Sequence, residues 1–160
     1  MALSLVVLLV PIALLLGFYR LVLDGDEPIT VDPRPAVAEA RAAALFPVAE
    51  PTGLGAQWRV STATFRRLDD GATLRIGYVG PDNEPVQLVQ SSVPLQKLVT
   101  AELGGEAGPA GTVRVGARTW QRYTARPGET ALVLLEKGRT IIAVGATEQR
   151  RLETLAAALP

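Results

Sequence analysis

The sequence predicts an α+β chain: an N-terminal transmembrane helix, then one domain with a mostly antiparallel sheet of about six or seven strands, ordered α-βββ-α-ββββ-α, with helices packed on it. Three observations predict it. Leu3 to Tyr19 is a run of 17 uncharged residues, which resumes after Arg20 as Leu21-Val22-Leu23. Beyond Asp24, apolar residues alternate at period two in short runs divided by Asp, Asn, Gly and Pro turns. Between and around those runs lie three stretches whose apolar residues recur three and four apart. The expected boundaries are 1–23 for the anchor, 24–31 for a juxtamembrane tether and 32–160 for a single domain.

At about 1.5 Å per helical residue, Leu3 to Leu23 spans roughly 30 Å, the hydrocarbon thickness of a bilayer. Arg20 falls near the membrane face, where its aliphatic stem lets the charge reach water. Pro11 sits mid-span and Tyr19 is placed like an interfacial aromatic. Two other readings of the run fit less well. A cleaved signal peptide has an apolar region of about 7–15 residues and a small-residue cleavage site, and Leu21-Val22-Leu23-Asp24 offers none. An all-round apolar helix at the end of a small domain is a poor core helix. With no cysteine there is nothing to acylate as a lipoprotein anchor. The first expected partner is therefore the lipid bilayer. The expected location is the cell membrane, single-pass, with a cytoplasmic N-terminus and an extracytoplasmic domain.

The acidic tether Asp24-Gly25-Asp26-Glu27 leads to Asp32-Pro33, read as N-cap and first helical residue. An Ala-rich helix follows to about Leu45, with a thin apolar face of Val37, Ala40 and Ala44. Irregular chain is expected from Pro47 to Gln57. Trp58 to Phe65 is the first strand, with Trp58, Val60, Thr62 and Thr64 on one face. Asp69-Asp70-Gly71 is a turn. Thr73 to Val79 sets Leu74, Ile76 and Tyr78 against Arg75, and Pro85 to Ser91 sets Val86, Leu88 and Gln90 against Gln87 and Val89. Pro94 to Leu103 is helical through Leu95, Leu98, Val99 and Leu103.

Gly104 to Gly111 reads as a glycine-rich loop. Val113 to Val115 and Arg118 to Thr124 flank Gly116-Ala117, a two-residue hairpin of the II′ kind. Arg126-Pro127-Gly128-Glu129 is a further turn. Ala131 to Glu136 and Thr140 to Gly145 are apolar on both faces, which predicts mid-sheet strands with helices covering part of both sides. Thr147 is expected to cap a last helix carrying Leu152, Leu155, Ala156 and Leu159.

Composition narrows the chemistry. The chain has no His and no Cys, which removes the commonest general base, thiolate nucleophiles, disulfides and Cys or His metal ligands. After Arg20 there are 15 Lys plus Arg against 16 Asp plus Glu, so no basic block argues for nucleic acid. Gly53-Leu54-Gly55 begins a dinucleotide-like pattern, but Trp58 stands where a third glycine belongs and no strand precedes it. Asp69 and Asp70 are paired carboxylates beside Gly71, hence turn formers. Ser91-Ser92 precedes a helix, which suits capping; a serine nucleophile would need a base, and the only lysines are Lys97 and Lys137. Trp120, Arg122 and Thr124 share a strand face, with Tyr123 opposite. That pattern reads either as a Trp/Arg binding surface or as a core tryptophan with a rim arginine. Trp58 reads as a core anchor.

Several short motifs stand in a recognisable order: Val31-Asp32-Pro33, Phe46-Pro47-Val48, Gly53-Leu54, Gln57-Trp58-Arg59, Ile76-Gly77-Tyr78-Val79, Val86 to Gln90, Val115-Gly116 with Arg118-Thr119-Trp120, Arg122-Tyr123, and Glu153 to Leu159. In this order, behind an N-terminal anchor, they resemble the DUF4245 family, actinobacterial single-pass envelope proteins of unknown function. The resemblance covers nearly the whole chain. It implies a membrane anchor and a domain outside the cytoplasm, and it supplies no activity, cofactor or site residue. The expected function is a non-enzymatic binding or interaction module presented at the envelope to an unknown envelope protein or ligand. The alternatives are an envelope carrier of a small apolar or peptide ligand and, behind it, a hydrolase using carboxylates or a Ser/Lys pair.

Overall fold

The computed structural model describes Ile12, Phe18 and residues 30–160. The expected anchor and most of the tether lie outside these residues, except that Ile12 and Phe18 are both helical. Among the described residues no helix is long and apolar enough to cross a membrane.

Within residues 30–160, three α-helices and seven strands follow in the predicted order: α1 (Arg34–Ala43), β1 (Arg59–Leu68), β2 (Gly71–Val79), β3 (Pro85–Ser91), α2 (Leu95–Leu103), β4 (Pro109–Val115), β5 (Arg118–Thr124), β6 (Thr130–Glu136), β7 (Arg139–Gly145) and α3 (Gln149–Ala157). The strands form one sheet in the order β1-β2-β3-β7-β6-β5-β4, and every neighbouring pair is antiparallel. Two meanders, β1-β2-β3 and β4-β5-β6-β7, thus meet along one seam, with Val86 opposite Gly145 and Ser91 opposite Thr140.

The strands that are apolar on both faces take the middle. β7 is central and β6 lies beside it, and Ile141, Ile142, Ala143, Leu132 and Val133 are all buried. Each face carries its own core. On the first, α1, α3 and the 46–58 segment cover Leu74, Ile76, Leu88, Trp120, Leu132 and Ile141. On the second, α2 covers Val89, Val133, Ile142 and Val144 with Leu98, Val99 and Leu103. Each such aliphatic side chain taken out of water contributes about 1.5–3 kcal/mol, so both helical layers are held mainly by apolar burial. Arg75 lies on the second face, as its alternation predicts. Its Nε donates to the Glu102 carboxylate at 3.0 and 3.2 Å and pins α2 over β2. The α3 stripe of Leu152, Leu155 and Ala156 is buried, and so is Leu159 just past the end of the helix.

The entry to α1 has the expected chemistry one residue out of phase with the helix boundary. Pro33 already has helical angles (φ −77°, ψ −15°), and Asp32 Oδ1 accepts from the Arg34 N–H at 3.0 Å. The helix stops at Ala44, which turns left-handed (φ 52°), so Ala44 is exposed and does not extend the Val37–Ala40 face. Irregular chain then crosses the first core. It is tied to the sheet by the buried Gln90, whose side chain accepts from the Ala49 N–H at 2.8 Å and donates to the Ala49 carbonyl at 2.7 Å. Arg139 adds a bond to the Pro47 carbonyl at 2.6 Å. The Gly116-Ala117 turn joins Val115 to Arg118 with Gly116 at φ 60° and no left-handed Ala117, as a II′ hairpin requires.

Four further expectations need correcting. The register of β1 on β2 shifts between Val60 and Thr62, so the residue between them bulges out and the alternation reverses. Val60, Ala63 and Phe65 stand opposite Tyr78, Ile76 and Leu74, whereas Thr62 and Thr64 face the other way. Secondly, chain expected to be loop up to Gly111 already pairs from Pro109, because a second bulge, between Pro109 and Gly111, absorbs the glycine within β4. Thirdly, Ser91 and Ser92 do not cap α2. The Ser91 hydroxyl donates to the Ala72 carbonyl and pairs with Thr73, and Ser92 Oγ accepts from the Ala72 N–H, so both fasten the start of β2. Fourthly, Thr147 does not cap α3; its hydroxyl is drawn to the Glu84 carboxylate across the β2–β3 connection, and Glu148 holds the cap position.

Candidate functional site

The alternation of β5 carries Trp120 and Arg122 to the face beneath α3. Trp120 is fully buried in the first core. The core reading of this tryptophan is the one its surroundings favour. Arg122 lies two residues further along, where the core ends and α3 begins. Its Nη1 donates to Gln149 Oε1 at 3.1 Å and its Nη2 to the Ala110 carbonyl at 2.8 Å, so one guanidinium bridges the first residue of α3 and edge strand β4. Gln149 in turn donates to Glu153 Oε1 at 2.5 Å.

Gly111 makes room for that guanidinium. It has φ +118°, and a Cβ placed on it would stand 3.0 Å from Arg122 Nη2 and 3.5 Å from Nε. Beside this edge opens a cavity of about 170 Å³. Leu132 and Leu152, both buried, line it, and Ala110, Thr124 and Thr130, all exposed, belong to its wall. Arg122 and Glu129 line it together without pairing. Arg122 Nε is buried and has no hydrogen-bond partner. Glu129 Oε2 is buried and likewise unbonded; its nearest cation, Arg126 Nη1, is 3.6 Å away, close enough for Coulombic attraction but too far for a hydrogen bond. A small apolar cavity thus carries a cation and a carboxylate, each with an unused buried atom. Such an arrangement is chemically suited to a small group that offers both an acceptor and a donor.

The other residues singled out from the sequence are dispersed. Asp69 and Asp70 form the β1–β2 turn, and the Lys97 ammonium, 2.8 Å from Asp70 Oδ2, holds that carboxyl below its ordinary value. Lys97 is therefore engaged with a carboxylate, while the Ser91 and Ser92 hydroxyls are engaged with Thr73 and the Ala72 backbone. Gly53-Leu54-Gly55 lies in irregular chain that leads into a strand, not a helix, so it forms no phosphate turn. Trp58 packs edge-on against Tyr78, ring centroids 6.3 Å apart at 74°, at the border of the first core. Burial and the nearby Glu50 push the Tyr78 hydroxyl up to about 12. Among the described residues no three His, Cys, Asp or Glu come together as metal ligands. Period two was sufficient to place Arg122. Glu129 and Gln149 had no signal of their own, since one reads as a turn residue and the other as a solvated helix start.

A family model described as "Protein of unknown function (DUF4245)" matches residues 1–159. No curated protein and no solved structure matches the chain.

Proposed function

We propose, for a chain that belongs to the DUF4245 family, that it is a membrane-tethered, non-enzymatic binding module whose domain stands outside the cytoplasm and takes hold of an envelope partner. The tether rests on the uncharged run Leu3 to Tyr19, and the two helical residues described within it, Ile12 and Phe18, have exposures of 47% and 65%. The chain enters the domain beside the first residues of β1, where the Val31 N–H donates to the Val60 carbonyl at 2.8 Å. The Arg122 cavity opens at this same end of the sheet, by the β5–β6 connection.

The single observation that carries the binding reading is that cavity, with the unbonded Arg122 Nε and Glu129 Oε2 among its lining residues. Its size supports one of the candidate roles over the other. A cavity of about 150 Å³ accommodates one benzene, whereas drug-sized ligands occupy roughly 300–1,000 Å³. At about 170 Å³ the Arg122 cavity takes one residue-sized group. That suits an anchor point for a partner better than carriage of a lipid. The depressions of about 570 and 310 Å³ lie open on the outside of the domain, around Leu45 to Val48 and over Thr62, Gly77 and Gln87.

The test is protease accessibility in intact cells whose outer envelope layers are permeable, compared with lysed cells. Cleavage of the domain in intact cells is the expected result. Cleavage only after lysis would overturn the extracytoplasmic reading and send the search for partners to the cytoplasm.

A further inference from the structure

We infer that the Arg122 cavity is a binding site for the α-carboxylate end of a small aliphatic residue, with the carboxylate on Arg122 and the attached N–H donor on Glu129. The inference deepens the binding reading above and rests on it.

Four features fix the chemical class. A guanidinium edge is a planar fork matched to a carboxylate, and the Nε half of this one is buried and unused. Gly111 brings no Cβ against that edge, where one would crowd Nη2 at 3.0 Å. Glu129 on the same wall selects against a multiply charged anion such as phosphate or sulfate by like-charge repulsion, and its unbonded Oε2 asks for a donor. The Leu132 and Leu152 side chains ask for a short aliphatic substituent, and about 170 Å³ limits the whole to a few heavy atoms. A monoanion with an adjacent N–H and a small aliphatic group is an α-amino-acid residue. It arrives either as the free zwitterion or as the last residue of a peptide. The Nη1 and Nη2 bonds to Gln149 and Ala110 then serve to hold the guanidinium in place.

The test uses the full chain in detergent micelles, with the Arg122 Nε–H resonance as reporter and calorimetric titration beside it. The probes are L-alanine, N-acetyl-L-alanine and L-alaninamide. The expected result is a saturable shift with at least one of the first two and none with alaninamide, which lacks the carboxylate. Alanine alone points to a free amino acid, and N-acetylalanine alone or with it to a chain terminus. Arg122→Lys keeps the charge but loses the fork, and weakens binding about tenfold or more. Because that variant also disturbs the Gln149 and Ala110 bonds, Thr130→Phe, at an exposed wall position, provides a second block that leaves Arg122 intact; it abolishes the shift while thermal unfolding stays unchanged. No shift with either carboxylate at tens of millimolar, or equal binding of alaninamide, overturns the inference. The protease experiment reads separately: cleavage in intact cells with silent probes removes only this ligand assignment, and protection in intact cells with responsive probes removes only the envelope reading.

Discussion

Gln90 is the most economical tie in the molecule, and replacing it with leucine tests how the irregular 44–58 segment is held. The side chain is 1% exposed and satisfies both the N–H and the carbonyl of Ala49, itself 5% exposed. Gln90→Leu keeps the volume and the apolar fit but strands two backbone groups. Each costs roughly 1–3 kcal/mol when left unbonded. Partial escape of the loop to water and the apolar gain of leucine lower the total to about 2–3 kcal/mol. A domain of this size loses about 3–5 °C in Tm per kcal/mol, so the expected drop is about 6–15 °C. The assay is reversible thermal unfolding of the parent and the variant, with hydrogen exchange read at the Ala49 amide. Protection at Ala49 should disappear well before that of the β7 amides. A Tm within about 2 °C of the parent, with Ala49 still protected, would refute the tie and leave the bond from Arg139 to the Pro47 carbonyl as what positions the loop.

Three further outcomes follow from the same packing. Gly145→Ala should cost about 2–3 kcal/mol in denaturant unfolding, because the new Cβ would stand 2.6 Å from the Pro85 carbonyl oxygen, a backbone atom in the paired strand that has no room to rotate away. Trp120→Ala should cost about 3–5 kcal/mol, whereas Trp120→Phe should cost no more than about 1–2, since it removes a buried Nε1–H that has no partner; equal losses in the two melts would contradict this. Tyr78 is held protonated in the folded state, its hydroxyl pushed from the ordinary 10.0 up to about 12. Its contribution is complete below pH 10 and is lost as pH rises towards 12, by roughly 2–3 kcal/mol, and a pH series of unfolding midpoints on Tyr78→Phe should lack that slope.

Much of the architecture was legible because period two and period 3.6 survive burial. β3 and β5 keep the limits their alternation predicts, and Val86, Leu88 and Gln90 share the face assigned to them. The doubly apolar Leu132–Leu135 and Ile141–Val144 runs announced a mid-sheet position. What failed to show were local devices that break the period. The bulge at Ser61 reverses β1, yet nothing in Val60-Ser61-Thr62 marks it. Gly111 reads as loop because glycine is a turn former, although here it serves close approach of Arg122. Ser91, Ser92 and Thr147 look like helix caps from one side only; each has a long-range partner, Ala72, Thr73 or Glu84, that sequence proximity cannot supply. The site shares this limit. Arg122 was placed by alternation, but Glu129 and Gln149 meet it only through the arrival of a turn and of α3.

The seam between β3 and β7 sets the order of events in folding. Every other strand pair is a hairpin between chain neighbours, closed by a short connection. The seam alone joins distant parts of the chain, Val86 to Gly145 and Ser91 to Thr140, and both cores are divided until it zips. Closing so long a loop is repaid only once many contacts form together, so the rate-limiting ensemble should contain two preassembled meanders and a partly made seam. Substitutions on β3 and β7 should therefore slow refolding, while those on the outer strands β1 and β4 should chiefly hasten unfolding.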